Sequence, residues 1–174
     1  ALTASDFQAL WRCLLEFESL GFYNSGTIAG ASQPHKHLQI LPLDDDRVAV
    51  PLEPLFDLPQ QPVGTLTKAT QLPFRHCLAR RPAFADAREA TDVCSNLYDQ
   101  MLASVGWSKV DASTPYNLIV TREWMLFVPR TAECYRSISL NSMAFVGSLF
   151  VKSQEQLSAL GSAGPLLALR SVTI

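Results

Sequence analysis

Gly30-Ala31-Ser32-Gln33-Pro34-His35-Lys36-His37-Leu38-Gln39-Ile40-Leu41 holds two of the three histidines in the chain. His35 to Leu41, bounded by Pro34 and Pro42, reads as a strand with clear edges. Side chains alternate along a strand, so His35, His37 and Gln39 share one face and Lys36, Leu38 and Ile40 the other. The small residues from Ser25 to Gln33 form a loop suited to close backbone approach to a ligand. The spacing admits three readings. The segment can be a structural strand. Its two histidines can bind a metal, although no third ligand of matching type lies nearby. Or one imidazole can attack phosphorus, with its second ring nitrogen holding its proton against an acceptor. Attack builds charge on the non-bridging oxygens, which calls for loop N–H, hydroxyl and amide donors. Ser32, Gln33 and Gln39 supply such groups, and Asn24 and Gly26 add more from the preceding turn. A nucleotidyl-histidine intermediate is the reaction this face suits.

On the N-terminal side, Thr3-Ala4-Ser5-Asp6 has the spacing of a capping box. Phe7, Leu10, Trp11, Leu14, Leu15 and Phe17 recur at helical spacing, with Gly21 as a stop. Phe22-Tyr23-Asn24 forms a short strand. On the C-terminal side, Asp44, Asp45 and Asp46 read as a solvated turn. Pro51, Pro54, Pro59 and Pro62 punctuate a long connection across a surface. Residues 84–105 read as a helix. Tyr116 to Thr121 and Trp124 to Pro129 form a hairpin with Arg122-Glu123 at its turn. An apolar segment from Met143 to Val151 precedes a helical pattern around Gln154 to Leu160, which Gly161 and Gly164-Pro165 break. Arg75, His76, Arg80 and Arg81 read as a solvated helix face. Trp107 and Trp124 read as core.

The chain has 174 residues, which at about 150 per domain is one domain with a small addition at most. Fourteen basic against sixteen acidic side chains give a formal charge of −2, so nucleic acid is excluded as a first expectation. Charged residues are 17% and apolar residues 48%, which argues for a packed core. No apolar run reaches the length of about 18 that a membrane span needs, and no leader pattern opens the chain. Cys13, Cys77, Cys94 and Cys134 are widely spaced, which argues against zinc or a disulfide framework and for reduced thiols in the cytoplasm.

The motif at residues 30–39 resembles the active-site signature of the diadenosine tetraphosphate phosphorylases, or ATP adenylyltransferases, the transferase branch of the histidine triad superfamily. Tyr23-Asn24-Ser25-Gly26 fits the same family. So do Pro115 to Arg130, Ile138-Ser139-Leu140-Asn141 and Gly147 to Lys152. The resemblance implies an α+β fold, a histidine-triad-like antiparallel sheet with flanking helices. It divides the chain into the C-terminal part of a histidine triad module (1–43), a connecting region with a helix (44–113) and an ATP adenylyltransferase C-terminal block (114–174). It implies His37 as nucleophile on the α-phosphorus of diadenosine tetraphosphate and His35 as its tuning partner. ATP leaves, and inorganic phosphate captures the adenylyl group as ADP. Asn24, Gly30, Ser32, Gln33, Gln39 and Lys152 are the implied nucleotide or phosphate contacts. Gln39 stands where the hydrolases of the superfamily carry a third histidine, which favours transfer over hydrolysis.

No tightly bound cofactor is expected, and magnesium would arrive with the polyphosphate. Family members are longer and carry strands before the first helix, so the chain resembles their C-terminal portion. Sheet edges so left open would be covered by a second copy or by the missing segment. The alternatives are a non-catalytic nucleotide-binding remnant, or a related dinucleoside polyphosphate hydrolase or uridylyltransferase.

Overall fold

A computed structural model describes residues 1–43, 50–111 and 113–174. The aspartates at 44–46 lie outside the described residues. Helix α1 (Ala4–Glu16) starts where the capping box placed it: the Thr3 side chain accepts from the Asp6 N–H, and the Asp6 carboxylate accepts from the Thr3 N–H. Phe7, Leu10, Trp11 and Leu14 form its buried stripe. The chain then runs through β1 (Ser19–Ser25), β2 (Gln39–Pro42), β3 (Leu66–Thr67) and β4 (Cys77–Arg80). Helix α2 (Ala87–Ser104) follows, opened by Asp86, whose carboxylate accepts from the N–H groups of Arg88 and Glu89. Next come β5 (Tyr116–Val120), β6 (Trp124–Pro129) and the small hairpin β7 (Cys134–Tyr135) and β8 (Ile138–Ser139). A 3-10 turn at Ser142–Val146 leads to α3 (Gln154–Ala163) and α4 (Pro165–Ser171).

The main sheet has the order β2-β1-β5-β6-β4-β3, with antiparallel neighbours throughout. This is the expected α+β architecture. Strands from all three stretches distinguished in the sequence share this sheet: β1 and β2 from the first, β3 and β4 from the middle, β5 and β6 from the last. The middle stretch, read as a connection, is therefore an integral edge of the sheet.

Alternation along each strand builds two cores. Tyr23, Tyr116, Leu118, Val120, Met125 and Phe127 face α1 and α2. Leu20, Phe22, Ile119, Trp124, Leu126 and Val128 face the 3-10 turns and α4. The second core is covered mostly by short, irregular pieces, and that is where polar groups enter the interior.

Two further expectations need correction. The histidine strand is shorter than predicted: only Gln39–Pro42 pairs with β1, while residues 35–38 carry no ladder. Pro42 is tolerated because β2 is an edge strand. The face assignment nevertheless holds on one side, since Leu38 and Ile40 pack on the α1–α2 core. The supposed solvated helix at Arg75–Arg81 is instead the region of β4, with His76 and Arg81 buried. The Arg81 guanidinium lies between Trp11 at 4.3 Å and Phe84 at 4.6 Å, so aromatic faces shelter it. The β5–β6 hairpin turns as predicted, and Thr121 makes it possible. Its Oγ1 accepts from the N–H groups of Glu123 and Trp124, which removes the need for a glycine at the turn.

Candidate active site

The loop between β1 and β2 turns at Gly26 and Gly30, both at positive φ. A methyl group on Gly30 would lie 2.8 Å from Asn141 Cβ and 2.9 Å from the Leu140 carbonyl. Gly30 is therefore a packing requirement of the loop, and it lies outside the lining of the cleft that its neighbours Ala31 and Gln33 enter. The loop forms one wall of a cleft of about 380 Å³, lined in part by Asn24, Gly26, Gln33, His35, Lys36 and Ser113.

His37 is half-buried beside this cleft, and His35 stands in its lining. Their ring centroids are 5.4 Å apart. His37 Nδ1 lies 3.2 Å from the His35 carbonyl oxygen. In the tautomer that makes this a hydrogen bond, Nδ1–H donates and Nε2 keeps a free lone pair. That is the arrangement a nitrogen nucleophile needs: one ring nitrogen anchored, the other available.

Lys36 reaches back to Asp6 at 2.6 Å. Partial burial raises the Asp6 pKa, but the bonds from Lys36 and Thr3 outweigh it and hold the carboxyl below its ordinary value. The histidine segment is thus tied to the first turn of α1. Gln39 opens β2, exposed, opposite Phe22. The pairing ends at Gln39; Asn24 and His35 share the lining of the cleft, and His37 stands next to His35.

Behind the wall, Asn24 Oδ1 accepts from Asn117 Nδ2 and from the backbone and hydroxyl of Ser142. Arg130, 2% exposed, donates to Asn117 Oδ1 and to the carbonyls of Leu140, Ala132, Glu133 and Val172. Burial pushes the guanidinium down to about 10, so it stays charged at neutral pH.

Of the predicted contacts, Asn24, Gln33 and His35 line the cleft. His37 and Gln39 follow beside it on the same chain segment. Ser32 is exposed and outside the lining. Lys152 is exposed and near Cys134, outside the lining as well. Among the described residues no group of three or more His, Cys, Asp or Glu side chains is arranged to hold a metal ion. A larger hollow of about 520 Å³ lies elsewhere, beside Glu18, Glu53, Asp57 and Glu123. Its carboxylates would repel a polyphosphate. No helix among the described residues is long and apolar enough to cross a membrane.

Residues 70–174 match the model of the ATP adenylyltransferase C-terminal domain, and residues 1–58 that of the Ap4A phosphorylase N-terminal domain. The chain belongs to the ATP adenylyltransferase family. Among curated relatives, Protein APA1 of Saccharomyces cerevisiae is 28% identical, over 91% of this chain and 55% of its own length. Diadenosine 5',5'''-P1,P4-tetraphosphate phosphorylase 2 of the same yeast is 25% identical, over 92% and 56%. The chain spans about half the length of these relatives.

The crystal structure of yeast Ap4A phosphorylase Apa2 superposes with a TM-score of 0.79 at 22% identity, over all of this chain and 63% of that one. Apa2 has also been solved with AMP, where the TM-score is 0.78 at 24% identity, over 63% of that chain. These likenesses establish the fold of this ATP adenylyltransferase family member. Sequence reasoning missed Asn117, Arg130 and Ser142 as parts of the site. Asn117 and Arg130 fall in the family-like block 115–130, but nothing local separates a buried arginine from a solvated one.

Proposed function

We propose that this chain carries the nucleophilic half-reactions of a diadenosine tetraphosphate phosphorylase. His37 Nε2 attacks the α-phosphorus, the bond to the bridging oxygen breaks, and ATP leaves with that electron pair. An oxygen of inorganic phosphate then attacks the adenylyl-histidine, the P–N bond breaks, and ADP departs. His35 supplies the carbonyl that holds the His37 proton and stands in the cleft next to the reacting group. Asn24 and Gln33 offer N–H donors for the charge that develops on phosphate oxygens. Gln39, an amide where a third imidazole would otherwise supply or accept a proton, leaves phosphate rather than water as the acceptor.

The observation that carries this reading is the His37 Nδ1 to His35 carbonyl contact of 3.2 Å at the edge of the cleft. The names of the yeast relatives support the choice of substrate. Intact-protein mass after incubation with diadenosine tetraphosphate, without phosphate, tests it. One added adenylyl group is expected, discharged as ADP when phosphate is supplied, and absent from His37→Asn. Discharge as AMP would mean that water is the acceptor. An adduct that survives His37→Asn, or no adduct at all, overturns catalysis by these residues.

A further inference from the structure

Four polar side chains from distant parts of the chain meet behind the cleft wall. Arg130 follows β6, and it has no carboxylate salt-bridge partner among the described residues. Its Nη1 donates to Asn117 Oδ1 at 2.6 Å. Asn117, 0% exposed, donates from Nδ2 to Asn24 Oδ1 at 2.7 Å and to the Ala29 carbonyl at 2.8 Å. Ser142 adds its N–H at 2.9 Å and its hydroxyl at 2.6 Å to the same Asn24 oxygen. These partners fix both amide orientations, because turning either one over would set N–H donors against each other. Asn24 Oδ1 is therefore committed to the interior. What Asn24 has left for the cleft it lines is its Nδ2 hydrogens.

We infer that Arg130, Asn117 and Ser142 are positioning residues that orient and polarise the Asn24 amide as a hydrogen-bond donor to a phosphate oxygen of bound nucleotide. This deepens the proposed function and rests on its reading of the cleft as the phosphate site. The physical case is the direction of the chain of bonds. A guanidinium donates into one amide carbonyl, and that amide donates into the next. Each step withdraws electron density in the same sense, and bonds aligned in this way strengthen one another away from bulk water. The positive end emerges at Asn24, in the lining of the cleft that His35 shares and beside which His37 stands. A buried cation whose nearest carboxylate, that of Glu133, stays beyond salt-bridge distance is costly to keep. A pure staple between β1 and β5 would be served as well by neutral side chains. The charge acquires a use if its effect is delivered where an oxyanion forms.

The test is the side-chain amide signal of Asn24 in the 15N-labelled chain, identified by its loss in Asn24→Asp. AMP should move the Asn24 Nδ2 protons downfield, and adenosine, which lacks the phosphate, should not. Asn117→Asp replaces the relay's donor with an acceptor facing Asn24 Oδ1, while the new carboxylate keeps Arg130 paired. It should abolish the AMP-dependent shift and weaken AMP binding by about tenfold or more. Ser142→Ala keeps the relay and removes one donor, so a reduced shift is expected. A merely structural role would lower the stability of these variants but leave the phosphate-dependent shift in the folded protein. Asn24 protons that ignore AMP, or that respond equally in Asn117→Asp, overturn the inference. The adenylyl adduct measured on the same samples separates the two claims. An adduct with a silent Asn24 sinks the relay alone, and a responding Asn24 without an adduct sinks the phosphorylase reading alone.

Discussion

Asn24, Asn117, Arg130 and Ser142 hold one another through bonds of 2.6 to 2.9 Å in a region closed to solvent. His35, Lys36 and His37, across the cleft rim, are exposed or half-buried and lie outside any strand ladder. Their described polar contacts are one ion pair to Asp6 and one ring-to-carbonyl contact. The wall is over-determined and the rim is lightly tethered. Donors that must not reorganise during phosphoryl transfer belong in the wall. Under the proposed function, a nucleophile that must approach phosphorus and later release it is better served by a segment that costs little to move.

If that contrast is real, the wall should break hard. Arg130→Met leaves Asn117 Oδ1 and the Leu140 and Ala132 carbonyls without their donor, while the Glu133 and Val172 carbonyls keep backbone N–H partners. At roughly 1 kcal/mol or more for each group left unsatisfied, a loss of about 3 kcal/mol or more is expected, read from the urea midpoint. A loss below about 1 kcal/mol would show that water replaces the guanidinium and that the wall is softer than its geometry implies. Gly30→Ala comes next. It forces a side chain into positive φ and against the backbone of Leu140 and Asn141. The expected cost is about 1–3 kcal/mol, with AMP binding weakened because the loop carries one wall of the cleft. An unchanged midpoint would mean the loop can shift away from Asn141 freely.

These two regions also differ in how well the sequence announced them. The rim was legible: two histidines, a preceding run of small residues and flanking prolines mark it by composition alone. Its backbone was misjudged because alternation of apolar and polar residues reports which face a side chain takes, not whether a neighbouring strand pairs with it. Leu38 faces the helices with no ladder bond. The β5–β6 hairpin was legible because Tyr116–Val120, Asn117 apart, and Trp124–Pro129 are apolar on both faces, as a central pair covered by two cores must be. The wall was not legible. Arg130 reads locally like any arginine after a strand, and its burial is set by Val172 and Leu140, partners found only in three dimensions. His76 and Arg81 misled for the same reason: charge density suggested solvent, while Trp11 and Phe84 supplied the shelter for Arg81 and Phe74 that for His76.

His76 offers a sharper, smaller test on the same face of the sheet, towards its β4–β3 edge, where a buried polar node is neutral. Its Nε2 accepts from the Ala69 N–H at 2.9 Å, and Nδ1 lies 2.8 Å from the Phe74 carbonyl, to which it donates. Burial pushes its pKa below the ordinary 6.5, and the bond to Phe74 only partly offsets that. The unfolded chain therefore binds this proton at a higher pH than the native one does. Stability supplied by neutral His76 is complete above about pH 6.5 and declines as pH falls towards the lowered native value. Urea midpoints of the parent chain should drop through that window, and those of His76→Gln should drop less. Parallel curves would mean that His76 is hydrated in the native state.

Lys36→Gln is the gentlest intervention and the most exacting for the comparison. It removes the ion pair to Asp6, in which the two side chains are 38% and 18% exposed. Solvent screens such a pair, so the expected stability cost is under about 1 kcal/mol. Thr3 continues to bond the Asp6 carboxylate, which keeps the α1 cap in place. The effect should surface instead in the histidine segment. With its tether gone, the backbone amides of residues 35–37, which donate no backbone hydrogen bond, should show lower 15N order parameters, while the amide of Asn117 in β5 stays rigid. Lower order in both places would mean that the rim and the wall form one cooperative unit and that their contrast is only apparent. Lower order at the rim alone would fit the proposed function, in which a movable nucleophile stands in front of fixed donors.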